Sequence, residues 1–384
     1  MASENAPSTP STSFVNEIRL TALEWLAVII GVTLTFTLTP KVWTRLEPLA
    51  TGADYRIPYV LSKDYWLYER RLRGISPTDI VLLGDSVVWG EYVQADGTLS
   101  HFLNGQTQSR RSFVNAGVNG LFPLALEGLA SGYMSPLKNR RLVVHCNLLW
   151  MSSPKADLSA EKEDQFNHAD LVPQFSPRIP CYRADLSHRL AVGVERIVPF
   201  LQWSKHLQTA YFGQKNIPQW TLEDDNQDPP HAINAYRNPL AAITLQIPKE
   251  PFPDPERGQS SPRHKPWSTN GIGSARFEWV NSDQSLQWRA FQRLVQLLRS
   301  RENDVFVVVG PFNEHLLADD NRASYRHWRE TVMEWLKSHQ IPHSIPEALP
   351  SLLYADASHP LTEGYRVLAE RLIQDRTFEN WLEK

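Results

Sequence analysis

The sequence predicts an α/β protein built on a parallel sheet, and three observations predict it. Short apolar runs rich in β-branched or aromatic residues recur at 79–83, 112–114, 141–146 and 304–309, each followed by a turn-prone or polar residue. Segments with helical apolar spacing lie between or after them, at 285–301, 325–339 and 362–373. The strand runs are nearly continuous in apolar character, as strands buried on both faces require, and strands alternating with helices imply parallel pairing.

Composition bounds the function. With 42% hydrophobic and 21% charged residues the 384-residue chain can bury a sizeable core. Its 39 Lys and Arg against 42 Asp and Glu give a net charge of -3, and no dense basic run is present to neutralise a row of phosphates, so no nucleic-acid partner is expected. Cys146 and Cys181 are too few for a disulfide framework or a cysteine zinc site, and His145 and His168 have no second imidazole at ligand spacing. No metal and no cofactor is expected.

The elements follow in order. Residues 1–18 read as a disordered tail and 19–40 as a membrane anchor, because 25–40 carry no charge and 20–23 extend the apolar run past Glu24. Glu4, Glu17 and Glu24 against Arg19 alone argue against a cleaved signal peptide. A helix docked on the domain is the alternative, as is a strand, given the alternation Thr33-Leu34-Thr35-Phe36-Thr37-Leu38-Thr39. Arg19 on one side against Lys41 and Arg45 on the other, read literally, puts the following domain in the cytoplasm. Residues 41–384 then form one domain interrupted by an insertion at about 151–280, which is crowded with proline, holds Trp203, Trp220, Trp267 and Trp279, and lacks a long buried-strand run. Such a length needs structure of its own, so a helical and irregular cap over the sheet edge is expected. Its aromatics either stack on sugar rings or build a local core.

The residues that carry chemistry sit at strand ends. Gly84-Asp85-Ser86 follows the first strand directly, which presents the Ser86 hydroxyl at the carboxyl edge of the sheet. A serine nucleophile needs a base, and the base an orienting carboxylate; Asp356-Ala357-Ser358-His359-Pro360 supplies both from one loop held by the helix beginning near 362. Oxyanion donors are expected from the backbone N–H of Gly120, which closes Asn115-Ala116-Gly117-Val118-Asn119-Gly120, and from the side-chain amide of Asn147; Gly117 competes with Gly120 for the first role. Asn313-Glu314-His315, following Gly310, reaches the same edge and either touches substrate or caps the next helix.

Gly84-Asp85-Ser86, Gly120, Asn147 and Asp356 with His359 resemble, in this order, the four signature blocks of the SGNH hydrolase superfamily, the GDSL-type esterases and acyltransferases. The resemblance covers roughly 79–150 and 285–375. It implies a flavodoxin-like three-layer α/β/α sandwich, a Ser86-His359-Asp356 catalytic set, an oxyanion hole of Ser86, Gly120 and Asn147, and hydrolysis or transfer of an O-acyl ester on a small molecule or glycan. The third block departs from the usual Gly-x-Asn-Asp, reading His145-Cys146-Asn147-Leu148. An anchored, capped chain of this kind is also similar to proteins that assist O-acylation of bacterial envelope polymers, which implies a membrane-bound O-acyltransferase partner and a catalytic domain on the periplasmic or extracellular side. A catalytically silent glycan-binding scaffold is the reading from a different class; intact Ser86, Asp356 and His359 argue against it.

Overall fold

Strands β1 (Ile80–Leu83), β2 (Phe113–Asn115), β3 (Arg141–Cys146), β4 (Asp304–Val309) and β5 (His343–Ser344) form one all-parallel sheet in the order β2-β1-β3-β4-β5. The computed structural model describes residues 20–49, 52–107, 112–161, 166–213, 240, 243–247, 264–270 and 273–384, so the expected tail and Trp220 lie outside the described residues.

Successive strand side chains point to opposite faces, and here both faces are covered. Val81, Leu83, Val144 and Val307 pack under helices α2 (Tyr65–Arg73), α5 (Pro123–Tyr133), α8 (Leu286–Ser300) and α9 (Arg322–Ser338), where Leu67, Leu129, Leu294 and Val332 meet them. Leu82, Val143, Phe306 and Val308 face the other way, onto Leu103 of α4 (Leu99–Gln106), Leu368 of α10 (Thr362–Gln374) and Phe378 and Trp381 of α11 (Arg376–Glu383). This two-sided burial is the reason the strands read as continuous apolar runs. The order reverses between β1 and β3, and at such a switch point the loops leaving the carboxyl ends part to open a crevice.

The N-terminal apolar stretch is helix α1 (Ala22–Leu46), long and apolar enough to cross a membrane: 25 residues rise about 37 Å, against roughly 30 Å of hydrocarbon. It extends past the expected 19–40 to include Lys41 and Arg45. Glu24, the charge that interrupts the run, closes a capping box: its carboxylate accepts the Thr21 N–H at 2.8 Å while Thr21 Oγ1 accepts the Glu24 N–H at 3.3 Å. The threonine alternation that allowed a strand is helical because the hydroxyls bond back along the helix, Thr35 to Gly31 O at 2.9 Å and Thr37 to Thr33 O at 2.8 Å, so no polar group needs a neighbouring strand.

Within 151–280 the described residues hold helices α6 (Leu186–Ile197) and α7 (Pro199–Ala210) and short 3-10 turns, not strands. Leu158, Val172, Ile179 and Tyr182 pack on Leu124 of α5 and Ala290 of α8, while α7 lies against α2 and α1. The described tryptophans have aromatic or core neighbours: Trp203 meets Trp43 at 5.7 Å, Trp279 meets Phe312 at 5.9 Å, and Trp267 joins the cluster on the α10 side.

Candidate active site

The first element of the site is the turn between β1 and the short helix α3 (Ser86–Trp89). Gly84 is obligatory there: a Cβ would stand 2.6 Å from Val88 Cγ2 and 2.8 Å from His145 Cβ. Asp85 caps α3, its Oδ1 accepting the Val87 N–H at 3.0 Å, and Gly90 ends it in the left-handed region at φ +86°. The buried guanidinium of Arg56 clamps the end of this turn by donating to the carbonyls of Trp89 (3.0 Å), Gly90 (2.7 Å) and Val93 (3.2 Å). With both ends held, the Ser86 hydroxyl is fixed at the sheet's carboxyl edge.

His359 meets it there. Ser86 Oγ lies 2.7 Å from His359 Nε2, and His359 Nδ1 lies 2.9 and 2.8 Å from the two Asp356 carboxylate oxygens. A carboxylate only accepts, so Nδ1 carries the hydrogen and Nε2 is left to take the Ser86 proton. The loop is shaped by the same carboxylate, since Asp356 Oδ1 also accepts the Ser358 and His359 N–H groups, each at 2.9 Å. Burial disfavours the Asp356 charge, but the hydrogen bond and charge of His359 together with these N–H groups outweigh it and hold the carboxyl below its ordinary value. Burial likewise lowers His359, and the Asp356 hydrogen bond and charge, with Glu91 and Asp85, outweigh it and leave the imidazole above its ordinary value. Asn313 braces the loop from β4: its Nδ2 donates to Asp356 O at 3.0 Å and its N–H to Ala357 O at 2.8 Å. Asn313 therefore neither caps a helix by its side chain nor lines the opening; it is buried and holds the loop.

Beneath Ser86 lies a second polar layer. Asp85 Oδ1 pairs with His145 Nδ1 at 3.0 Å, His145 Nε2 donates to Gly310 O at 2.9 Å, and Asn147 Nδ2 donates to Asp85 Oδ2 at 2.9 Å. Burial raises Asp85, but the charge and hydrogen bond of His145 and the Asn147 amide outweigh it and hold it ionised. One Asn147 N–H is thus committed to Asp85, and its Oδ1 accepts the Leu149 N–H at 3.0 Å; the second amide hydrogen is the one left to donate elsewhere.

The Asn115–Gly120 stretch (115–120) runs beside the Gly84–Ser86 turn (84–86), with the Val118 N–H donating to Gly84 O at 3.1 Å. Gly117 and Gly120 separate clearly. The Gly117 N–H is engaged by Asn115 Oδ1 at 3.0 Å, and a Cβ there would lie 2.4 Å from Trp89 N, so this glycine serves close packing. Gly120 sits at φ +73°, and among the described residues neither its N–H nor that of Ser86 has a protein acceptor. His168 fixes the preceding peptide, its Nε2 donating to Asn119 O at 2.8 Å while its Nδ1 accepts from Tyr65 OH at 3.0 Å. Burial drives His168 down to about 4, so the ring stays neutral in this bond.

Two neighbours of His359 carried no sequence signal. Glu91 Oε2 stands 3.3 Å from Nε2, and burial raises its carboxyl. The Tyr92 ring meets the imidazole edge-on at 5.3 Å. Both follow Gly90 in an irregular turn with no periodicity to single them out. A cleft of about 430 Å³ adjoins the loop, lined by Lys63, Asn119, Asn167, His168, Thr209 and others. No family model and no curated protein matches the chain.

Proposed function

We propose that the protein is a membrane-tethered serine esterase or acyltransferase of the SGNH type, acting on O-acyl esters through an acyl-Ser86 intermediate. The observation that carries this reading is the hydrogen-bonded chain Ser86 Oγ, His359 Nε2, His359 Nδ1, Asp356. The strand order 2-1-3-4-5 with helices on both faces supports the fold half of the reading.

The chemistry runs in two balanced halves. His359 Nε2 takes the hydroxyl proton as Ser86 Oγ attacks the ester carbonyl, and Asp356 stabilises the imidazolium. The oxyanion is met by the N–H groups of Ser86 and Gly120, with the second Asn147 amide hydrogen as third donor. Collapse expels the alcohol, which leaves with the proton from His359. Water or a sugar hydroxyl then gives its proton to His359, attacks the acyl-serine, and releases acid or transferred ester as Ser86 regains its hydrogen.

A reading in which the reaction occurs near a membrane draws support from Thr209, at the end of α7, which lines the cleft beside Asn119, since α7 packs on α1. On this reading an acyl donor arrives from the membrane side, from a membrane-bound O-acyltransferase, and a glycan accepts. The test is turnover of short-chain aryl esters by the full chain in detergent, with mass analysis of the trapped intermediate and of a glycan acceptor. An acyl adduct on Ser86 is expected; full turnover by Ser86→Ala sinks the proposal. Acyl-glycan product identifies transfer, free acid alone hydrolysis.

A further inference from the structure

Helix α6 is built inside out. Leu186, Leu190, Val194 and Ile197 fall within a sector of about 80° at 100° per residue, and all four are exposed, Ile197 by 79% and Leu186 by 65%. The two arginines of the same helix bond back to the chain beside it, and His188 lies on the side away from the stripe. Arg189 donates to the carbonyls of Ala184 (3.1 Å), Tyr182 (3.2 Å) and Gln174, Arg196 to those of Val172 (3.0 Å) and Asp170, and His188 pairs with Asp170 at 3.3 Å. In water this arrangement leaves a contiguous apolar stripe uncovered.

The elbow between α6 and α7, at Val198-Pro199, shows what covers it. Phe200 stacks on Phe36 with ring centroids 4.1 Å apart, Trp203 meets Trp43 at 5.7 Å, and Tyr211 and His206 reach Glu47. These pairs advance together along both helices, so α7 runs parallel to α1 and its first turn lies level with Phe36. Lys41, Trp43 and Arg45 mark the interface end of the anchor, where basic and aromatic side chains settle at headgroup level. Phe36 is five residues below Lys41 and seven below Trp43, which at 1.5 Å per residue puts the elbow about 8–10 Å inside that level. That depth is typical of helices seated at the headgroup–acyl boundary.

We infer that the α6–α7 hairpin is a second membrane contact, inserting its elbow and the Leu186-Leu190-Val194-Ile197 stripe into one leaflet of the bilayer that α1 spans. The occupant is lipid because the stripe continues the lipid-facing surface of α1 through the Phe36–Phe200 stack. The inference rests on the anchor reading of α1, and it fixes the distance and orientation of the Ser86 crevice above the membrane. A tether of one helix alone leaves the domain free to rotate; two contacts do not.

The test places an environment-sensitive fluorophore at single cysteines in the full chain reconstituted in phosphatidylcholine vesicles, Cys146 and Cys181 being buried. Ile197→Cys and Leu190→Cys are expected to shift emission to the blue and to lose intensity to lipids carrying a shallow nitroxide. His188→Cys, on the opposite side of α6, and the distant exposed Leu352→Cys stay unquenched, which rules out a probe that drags itself into lipid. An unquenched Ile197 probe beside a quenched Leu26→Cys probe overturns the hairpin contact while keeping the anchor. Loss of quenching at Leu26 as well overturns the anchor reading instead. An Ile197 probe shielded from both lipid nitroxide and aqueous iodide assigns the stripe to a protein partner and also overturns the inference.

Discussion

Asp356→Asn removes the charge facing His359 while keeping the size of the side chain. With the carboxylate oxygen 2.8 Å from Nδ1, the attraction for the imidazolium that forms during catalysis is about 6 kcal/mol at an effective dielectric near 20 and about 1.5 kcal/mol in bulk water. The Asp356 side chain is 40% exposed, which places the realised value between these limits, near 3–4 kcal/mol. At about 1.4 kcal/mol per decade this is a rate loss of roughly 10²–10³, and an amide that turns its own N–H toward Nδ1 enforces the wrong tautomer and carries the loss toward about 10⁴. The pH dependence has a definite sign. On the proposed mechanism catalysis needs neutral His359, so kcat/KM is expected to rise with pH through the His359 titration, which Asp356 raises against the effect of burial. Without the charge that limb moves to lower pH. The assay is the pH profile of aryl-ester kcat/KM on full chain in detergent. A folded variant losing less than about tenfold, or one whose limb moves to higher pH, refutes the assignment of Asp356 as orienter.

Three further outcomes follow from the same geometry. Glu91→Gln removes another charge that raises His359, so its kcat/KM limb also moves to lower pH, and an unmoved limb shows that the 3.3 Å contact is without consequence for the base. His206→Gln uncovers two buried carboxylates, because its ring is held 2.6 Å from Asp64 and 3.0 Å from Glu47; breaking such an arrangement costs about 3–5 kcal/mol and lowers Tm by roughly 6–20 °C by thermal unfolding in detergent. In the unaltered chain burial opposes the His206 charge, yet Asp64 and Glu47 raise it to about 9, so its contribution is complete below the ordinary histidine value and lost as pH rises through about 9; the Tm gap between variant and wild type narrows there. Gly84→Ala forces a methyl to 2.6 Å from Val88 and 2.8 Å from His145, and is expected to cost about 1–3 kcal/mol in denaturant unfolding together with activity, whereas Gly132→Ala, with nothing within 4 Å, leaves activity unchanged.

The sheet was legible where burial on both faces wrote long apolar runs, as in β1, β3 and β4, and illegible where a strand is short: β5 is two residues, His343 and Ser344, and no periodicity exists at that length. Helix α8 announced itself by spacing, whereas α6 lies in the insertion, where only a helical and irregular cap was expected and the outward facing of Leu186 and Ile197, with Arg189 and Arg196 bonded to neighbouring carbonyls, depends on contacts across the fold. Ser86 and the Asp356–His359 loop were readable because the carboxyl edge of a parallel sheet gathers the residues that follow its strands. Glu91, Tyr92 and Arg56 were not, since each acquires its role only from a contact made across the fold. The Asn147 side chain illustrates the same limit from the other direction: its position after β3 was evident, while its commitment to Asp85 depends on a neighbouring strand.

The central claim is that His359 activates Ser86, and reaction of the full chain with a fluorophosphonate probe tests it most directly. The account predicts labelling of Ser86 that rises with pH through the His359 titration and is lost in both Ser86→Ala and His359→Ala. A folded wild-type chain that takes no label, or that labels equally well without His359, contradicts it.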